Sequence, residues 1–148
     1  MTTEMIQTAA GLLGSLCFGI LFNMRGMRLV AVTIGGFMSW GLFIALNSTI
    51  QNEPICYFIV ASVVTLYAEM MARLLKTPAT PIVTTSLIPL IPGGSLYYTM
   101  AYAFESDFDM FLDKAVSTLK LASALALGIL IVTSLSQLLF RRTKADKT

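Results

Sequence analysis

Long apolar stretches, each closed by a short polar or proline-bearing turn, set the pattern of this chain. A helix that crosses a bilayer needs about 20 apolar residues. The first stretch runs from about Met5 to Phe22 and ends at Asn23-Met24-Arg25-Gly26-Met27-Arg28. The second covers about Leu29 to Asn47 and is closed by the polar turn Ser48 to Pro54. The third runs from about Ile55 to Leu75 and stops at Lys76-Thr77-Pro78-Ala79-Thr80-Pro81. The fourth extends from about Ile82 to Phe104, followed by an acidic loop with Glu105, Asp107, Asp109 and Asp113. The last begins near Ala115 and reaches Phe140, with Lys114 and Lys120 in the interface at its start. The pattern predicts an all-α integral membrane protein of about five transmembrane helices.

The fourth stretch carries its own interruption, LIPLIPGGS, residues Leu87 to Ser95. Pro89 and Pro92 lack amide hydrogens and push Ile88 and Ile91 away from helical geometry, while Gly93 and Gly94 permit positive φ and close backbone approach. Ile82 to Ile91 spans about 15 Å as a helix, half a hydrocarbon core, so the break falls near the membrane midplane. Irregular backbone at that depth is tolerated only inside protein or beside a water-filled cavity. A kink that only shapes the bundle is one reading of the break. The other is a transporter site, in which the second half-helix turns free amides and a positive dipole end toward an anionic group. That end forms around Gly93, Gly94 and Ser95, with Thr84, Thr85 and Ser86 one half-helix away.

Composition sharpens the class. Hydrophobic residues make up 56% of the 148 and charged residues 12%, with mean hydropathy +0.78, so lipid is part of the solvent. A net charge of +2 is too small to indicate nucleic acid. Placement matters more than the sum. Arg25, Arg28, Arg73, Lys76, Arg141, Arg142, Lys144 and Lys147 fall on one side under the five-span assignment, leaving Lys114 and Lys120 on the other. This places the N-terminus outside and the C-terminus in the cytoplasm. The leading residues MTTEMIQ carry no Lys or Arg, so the first stretch reads as a retained helix rather than a signal peptide.

Two cysteines, Cys17 and Cys56, without any histidine exclude a Cys/His zinc site, and both read as small buried side chains. No nucleophile–base pair, phosphate loop or metal cluster is visible, so no enzyme chemistry and no cofactor are expected. Gly11-Ser15-Gly19 and Ala31-Gly35-Ser39 repeat small residues every fourth position, a helix-packing pattern in lipid. Glu69 lies inside the third stretch with Arg73 four residues later on the same face. One reading is a salt bridge near the cytoplasmic interface; the other is a carboxylate that relays a proton.

Two quoted runs carry a family resemblance. YAEMMARLLKTPATPIVTTSLIPLIPGG, residues Tyr67 to Gly94, resembles the second membrane domain of the threonine/serine exporter family. LFNMRGMRL, Leu21 to Leu29, is similar to that family's Phe-Asn-containing loop after the first helix, with Met24 where relatives often carry proline. The resemblance implies a single membrane domain over residues 1–148, acting as one half of an inverted-repeat transporter. It implies export of threonine and serine across a bacterial cytoplasmic membrane, driven by the proton motive force. The implied partner is a larger subunit with a hydrophilic N-terminal region and five further helices. Carried over onto this sequence, the motif names Glu69, Arg73, Pro78 and Thr80, and Pro89, Pro92, Gly93 and Gly94 at the break; proton coupling by Glu69 and Arg73 is the reading of the residues themselves. Asn23, Pro78 and Thr80 are the motif's structural positions. Thr84, Thr85 and Ser95 join the break as substrate-binding candidates. Some split members resemble dicarboxylate exporters, and a carboxylate-bearing substrate fits both. A non-transporting scaffold subunit and a passive channel are the readings from other classes.

Overall fold

The structure, a computed structural model, describes the backbone of residues 2–145 and the side chains of residues 5–138. Every described element is helical, in the order α1 (Thr2–Leu21), α2 (Met27–Ile50), α3 (Glu53–Leu74), α4 (Ala79–Leu87), a 3-10 turn (Ile88–Leu90), α5 (Gly93–Phe104) and α6 (Phe108–Ala145). Met27–Ile50, Glu53–Leu74 and Phe108–Leu138 are each long and apolar enough to cross a membrane. Ala79–Leu90 and Gly93–Phe104 pass that test together, bent by 62° at the break, while the apolar part of α1, Met5–Leu21, is shorter.

The helix α3 is the hub. Tyr57, Val60, Val64, Ala68 and Ala72 form a buried stripe at helical spacing, and α2, α4 and α6 all pack on this helix. The small-residue stripes do what their spacing predicts. A Cβ on Gly36 would sit 2.4 Å from Ser15 Cβ, and one on Gly35 would sit 2.6 Å from Ser86 Cβ. Adjacent glycines of α2 therefore admit α1 on one side and α4 on the other. Cys56 is buried as expected, but Cys17 is exposed, because α1 turns only its Gly11-Ser15-Gly19 face inward.

Helices α3 and α6 run parallel. Gly128 lies against Ala61, and Ser136 meets Glu69 about two turns further on; both pairs are 67 positions apart. For α6 to run in the direction of α3, the bent α4–α5 segment must carry the chain back to the end where α3 began. The segment therefore traverses the bundle instead of folding back to the end it left. At the opposite end, Phe22, Asn23 and Met24 share a small cavity with Thr77, Pro78 and Pro81. The turns bearing Arg25, Arg28 and Lys76 thus lie together, and α6 runs toward the same end. The side chains of Arg141, Arg142 and Lys144, and all of Lys147, lie outside the described residues.

These two turns share one construction. Asn23 and Lys76 both adopt left-handed backbone, with φ of 57° and 50°. Asn23 N–H donates to the Ile20 carbonyl and Met24 N–H to the Gly19 carbonyl, each at 2.9 Å. Lys76 and Thr77 repeat the pattern on Arg73 and Ala72. This paired bonding satisfies carbonyls that a helix end would leave open, and Asn tolerates the conformation better than most residues.

Several boundaries differ from the sequence reading. Helix α2 continues to Ile50, through Ser48 and Thr49, whose hydroxyls donate to the Ala45 carbonyl instead of starting a turn. Helix α4 begins at Ala79, with Pro81 in its first turn where no amide is needed. The acidic loop is mostly helix. Helix α6 starts at Phe108, with Met110 N–H donating to Asp107 Oδ1 at 3.2 Å, and Asp109 sits where the helix dipole favours an acid.

Candidate functional site

The break falls where the sequence places it, with a different division of labour between the prolines. Pro89 sits inside the 3-10 turn that continues α4, so it tightens the helix without ending it. Pro92 ends it: the preceding Ile91 is extended, with φ −60° and ψ 127°, and α5 starts at Gly93. Neither Gly93 nor Gly94 uses positive φ, and a Cβ on either would meet nothing within 4 Å. The pair is exposed, so no described helix needs their small size. Gly93 N–H donates to the Ile91 carbonyl at 2.7 Å, and Leu96 N–H to that of Pro92 at 3.1 Å. The amides of Gly94 and Ser95 lie between these two and find no acceptor among the described residues.

A cleft of about 530 Å³ opens between α4 and α6, which splay apart over α3. Such a volume lies within the range of small-molecule sites. Glu69 of α3, Thr80 and Thr84 of α4, and Thr133 and Gln137 of α6 supply its polar wall. Val83, Leu87, Leu125 and Ile129 supply apolar wall, and Ile91 of the break closes one end.

Glu69 is 8% exposed and firmly held. Its Oε2 accepts from Arg73 Nη2 at 2.9 Å and from Ser136 Oγ at 2.9 Å. Arg73 Nη1 also donates to the Glu69 carbonyl at 2.9 Å, and Nη2 approaches Ser136 Oγ. Hydrogen bonds therefore tie α3 to α6 at this carboxylate. Glu69 Oε1 has no hydrogen-bond partner among the described residues.

The residues singled out from sequence divide into three groups, with Thr85 apart from all of them. Glu69, Thr80 and Thr84 come together on the cleft wall, with Arg73 behind Glu69. Asn23 and Pro78 meet at the end of the bundle. Pro92, Gly93, Gly94 and Ser95 lie beyond Ile91 outside the cleft wall, the glycines exposed and Pro92 and Ser95 half-buried, while Pro89 packs toward Gly11 of α1. Thr85 turns inward; it is fully buried, and its hydroxyl has no partner. Thr133, Ser136 and Gln137 of α6 were not singled out. They are ordinary polar residues in a hydrophobic helix, and only the parallel register of α6 on α3 brings them to Glu69.

Comparison with curated proteins and with solved structures returned no significant match. The family model described as threonine/serine exporter, ThrE, matches residues 7–135, which include α2 to α5, most of α1 and the cleft-lining part of α6 as far as Thr133. That match takes in most of the 148 residues, and the chain belongs to the threonine/serine exporter family.

Proposed function

We propose that this chain is one half of a secondary transporter that exports threonine and serine, pairing with a larger five-helix subunit in a bacterial cytoplasmic membrane. The observation that carries the reading is a buried carboxylate, Glu69, on the wall of a small-molecule-sized cleft in a member of an exporter family. Intramembrane acids are costly and mark substrate or proton pathways. Five traverses, with α1 the shortest, give an N-terminus outside and a C-terminus in the cytoplasm, in keeping with basic residues gathered at one end of the bundle. The proton motive force drives export, and Glu69 carries the coupling proton. The amides of Gly94 and Ser95, without an acceptor among the described residues, support a second contact: unsatisfied backbone at this depth is not left to lipid, so either substrate or the partner half covers it. An inverted partner completes the enclosure of both cleft and break.

The test is efflux from exporter-deficient cells given this chain, with and without the candidate partner. Threonine and serine should leave, succinate should not, and a protonophore should stop the efflux. Efflux of succinate alone identifies a dicarboxylate exporter. Efflux that ignores the protonophore identifies a passive channel.

A further inference from the structure

We propose that Glu69 Oε1 is the docking atom for the α-ammonium group of the exported amino acid, and that a proton and this ammonium exclude one another there. The proposal rests on the exporter reading and assigns a substrate group to a named atom.

Four observations converge on it. Oε2 is already occupied by Arg73 and Ser136, whereas Oε1 has no hydrogen-bond partner among the described residues, and Glu69 lines the cleft. The guanidinium of Arg73 is engaged with the Glu69 carbonyl, Oε2 and Ser136, and Arg73 is not part of the cleft wall. Glu69 is therefore the one charged group among the described lining residues. Finally, the Thr84 hydroxyl donates to the Thr80 carbonyl at 2.9 Å, and that of Thr133 to carbonyls of its own helix. Hydroxyls bonded this way offer lone pairs to a ligand, so the polar wall is rich in acceptors. An ammonium, with three donors and a positive charge, complements it; a second carboxylate does not.

The groups around Glu69 leave the exchange to this one carboxylate. Arg73 is its charged contact on α3, and Tyr67 turns its hydroxyl to the Ala31 carbonyl. Helix α4 carries no ionisable residue, and α6 carries none from Leu121 to Leu138. Helix α2 offers only Arg28, which lies beside Thr77 and Pro78 at the bundle end. Arg141 and Arg142 follow beyond the described side chains. Loading is then a simple displacement. The O–H bond at Oε1 breaks, the proton leaves to water in the cleft, and the ammonium takes its place; unloading is the reverse. Neutral, protonated Glu69 holds no cation, so proton and substrate alternate and transport is an exchange.

Competition against labelled threonine in inside-out vesicles carrying the full chain and its candidate partner tests this. 3-Hydroxybutyrate, which is threonine without its amine, should compete about ten- to hundredfold less well than threonine, the loss of one charge-assisted hydrogen-bond set. 1-Amino-2-propanol, which keeps the amine and lacks the carboxylate, should compete better than 3-hydroxybutyrate. Threonine should release protons from wild-type vesicles across a pH series, and Glu69→Gln should abolish that release. The proposal is overturned if 3-hydroxybutyrate is the better competitor, or if Glu69→Gln keeps wild-type threonine affinity. No threonine uptake by the wild type overturns the exporter reading, and this proposal with it.

Discussion

Ser136 Oγ donates to Glu69 Oε2 at 2.9 Å across 67 residues of sequence. The contact joins the last helix to the hub helix and leaves the other carboxylate oxygen free for the cleft. Its geometry depends on α3 and α6 running parallel, which depends in turn on the bent α4–α5 segment traversing the bundle. A proline-glycine break and a buried acid thus belong to one arrangement.

Removing this hydroxyl should be felt modestly in stability and more sharply in transport. Ser136→Ala is expected to lower stability in mild detergent by about 0.6–1.7 kcal/mol, the range of hydrogen bonds between membrane helices. A double-mutant cycle with Glu69→Gln should return a coupling of that size. Additive effects would mean that the two groups do not act together.

The close approach of α6 to α3 is concentrated at Gly128. A Cβ there would lie 2.8 Å from the Phe58 carbonyl and 2.9 Å from Ala61 Cβ, so the backbones have no room to give. Gly128→Val should cost about 1–3 kcal/mol by prying the helices apart. Gly41→Ala, where a Cβ meets nothing within 4 Å, should be neutral or stabilising by up to about 1 kcal/mol. Unfolding of the two variants in detergent checks both expectations.

Asn23 is needed for its conformation. With φ of 57°, Asn23→Val should destabilise by about 1–2 kcal/mol, whereas Asn23→Gly should fold as the wild type does. Equal thermal midpoints for the two variants would remove the left-handed turn as the reason for this residue.

The break itself makes a separable prediction. A Cβ at Gly93 or Gly94 would meet no described atom within 4 Å, so membrane insertion and yield of Gly93→Val and Gly94→Val should match the wild type. Export should nevertheless be lost, because the added side chain enters whatever covers the Gly94 and Ser95 amides. Normal export by both variants would confine the break to shaping the bundle.

Local chemistry made much of this legible in the sequence. The Pro/Gly run announces a broken helix, and the Glu69–Arg73 spacing announces a pair on one helix face; the structure shows both. The glycine reading was less accurate. Gly93 and Gly94 open a helix with ordinary φ, so their conformational freedom goes unused. The acidic run after Phe104 reads as a loop in the sequence, yet Asp107 caps α6 and Asp109 lies in its first turn. Ser136, Thr133 and Gln137 carried no sequence signal, since their importance arises from the register of two helices far apart in the chain.

The most direct test of the account is labelling of Glu69 by a hydrophobic carbodiimide, read by mass spectrometry in membranes holding the chain and its candidate partner. Glu69 should be modified, and saturating threonine should protect it, whereas 3-hydroxybutyrate should not. Modification of Glu69 at the same rate with and without threonine, in membranes that transport threonine, would contradict the claim that substrate and proton share this carboxylate.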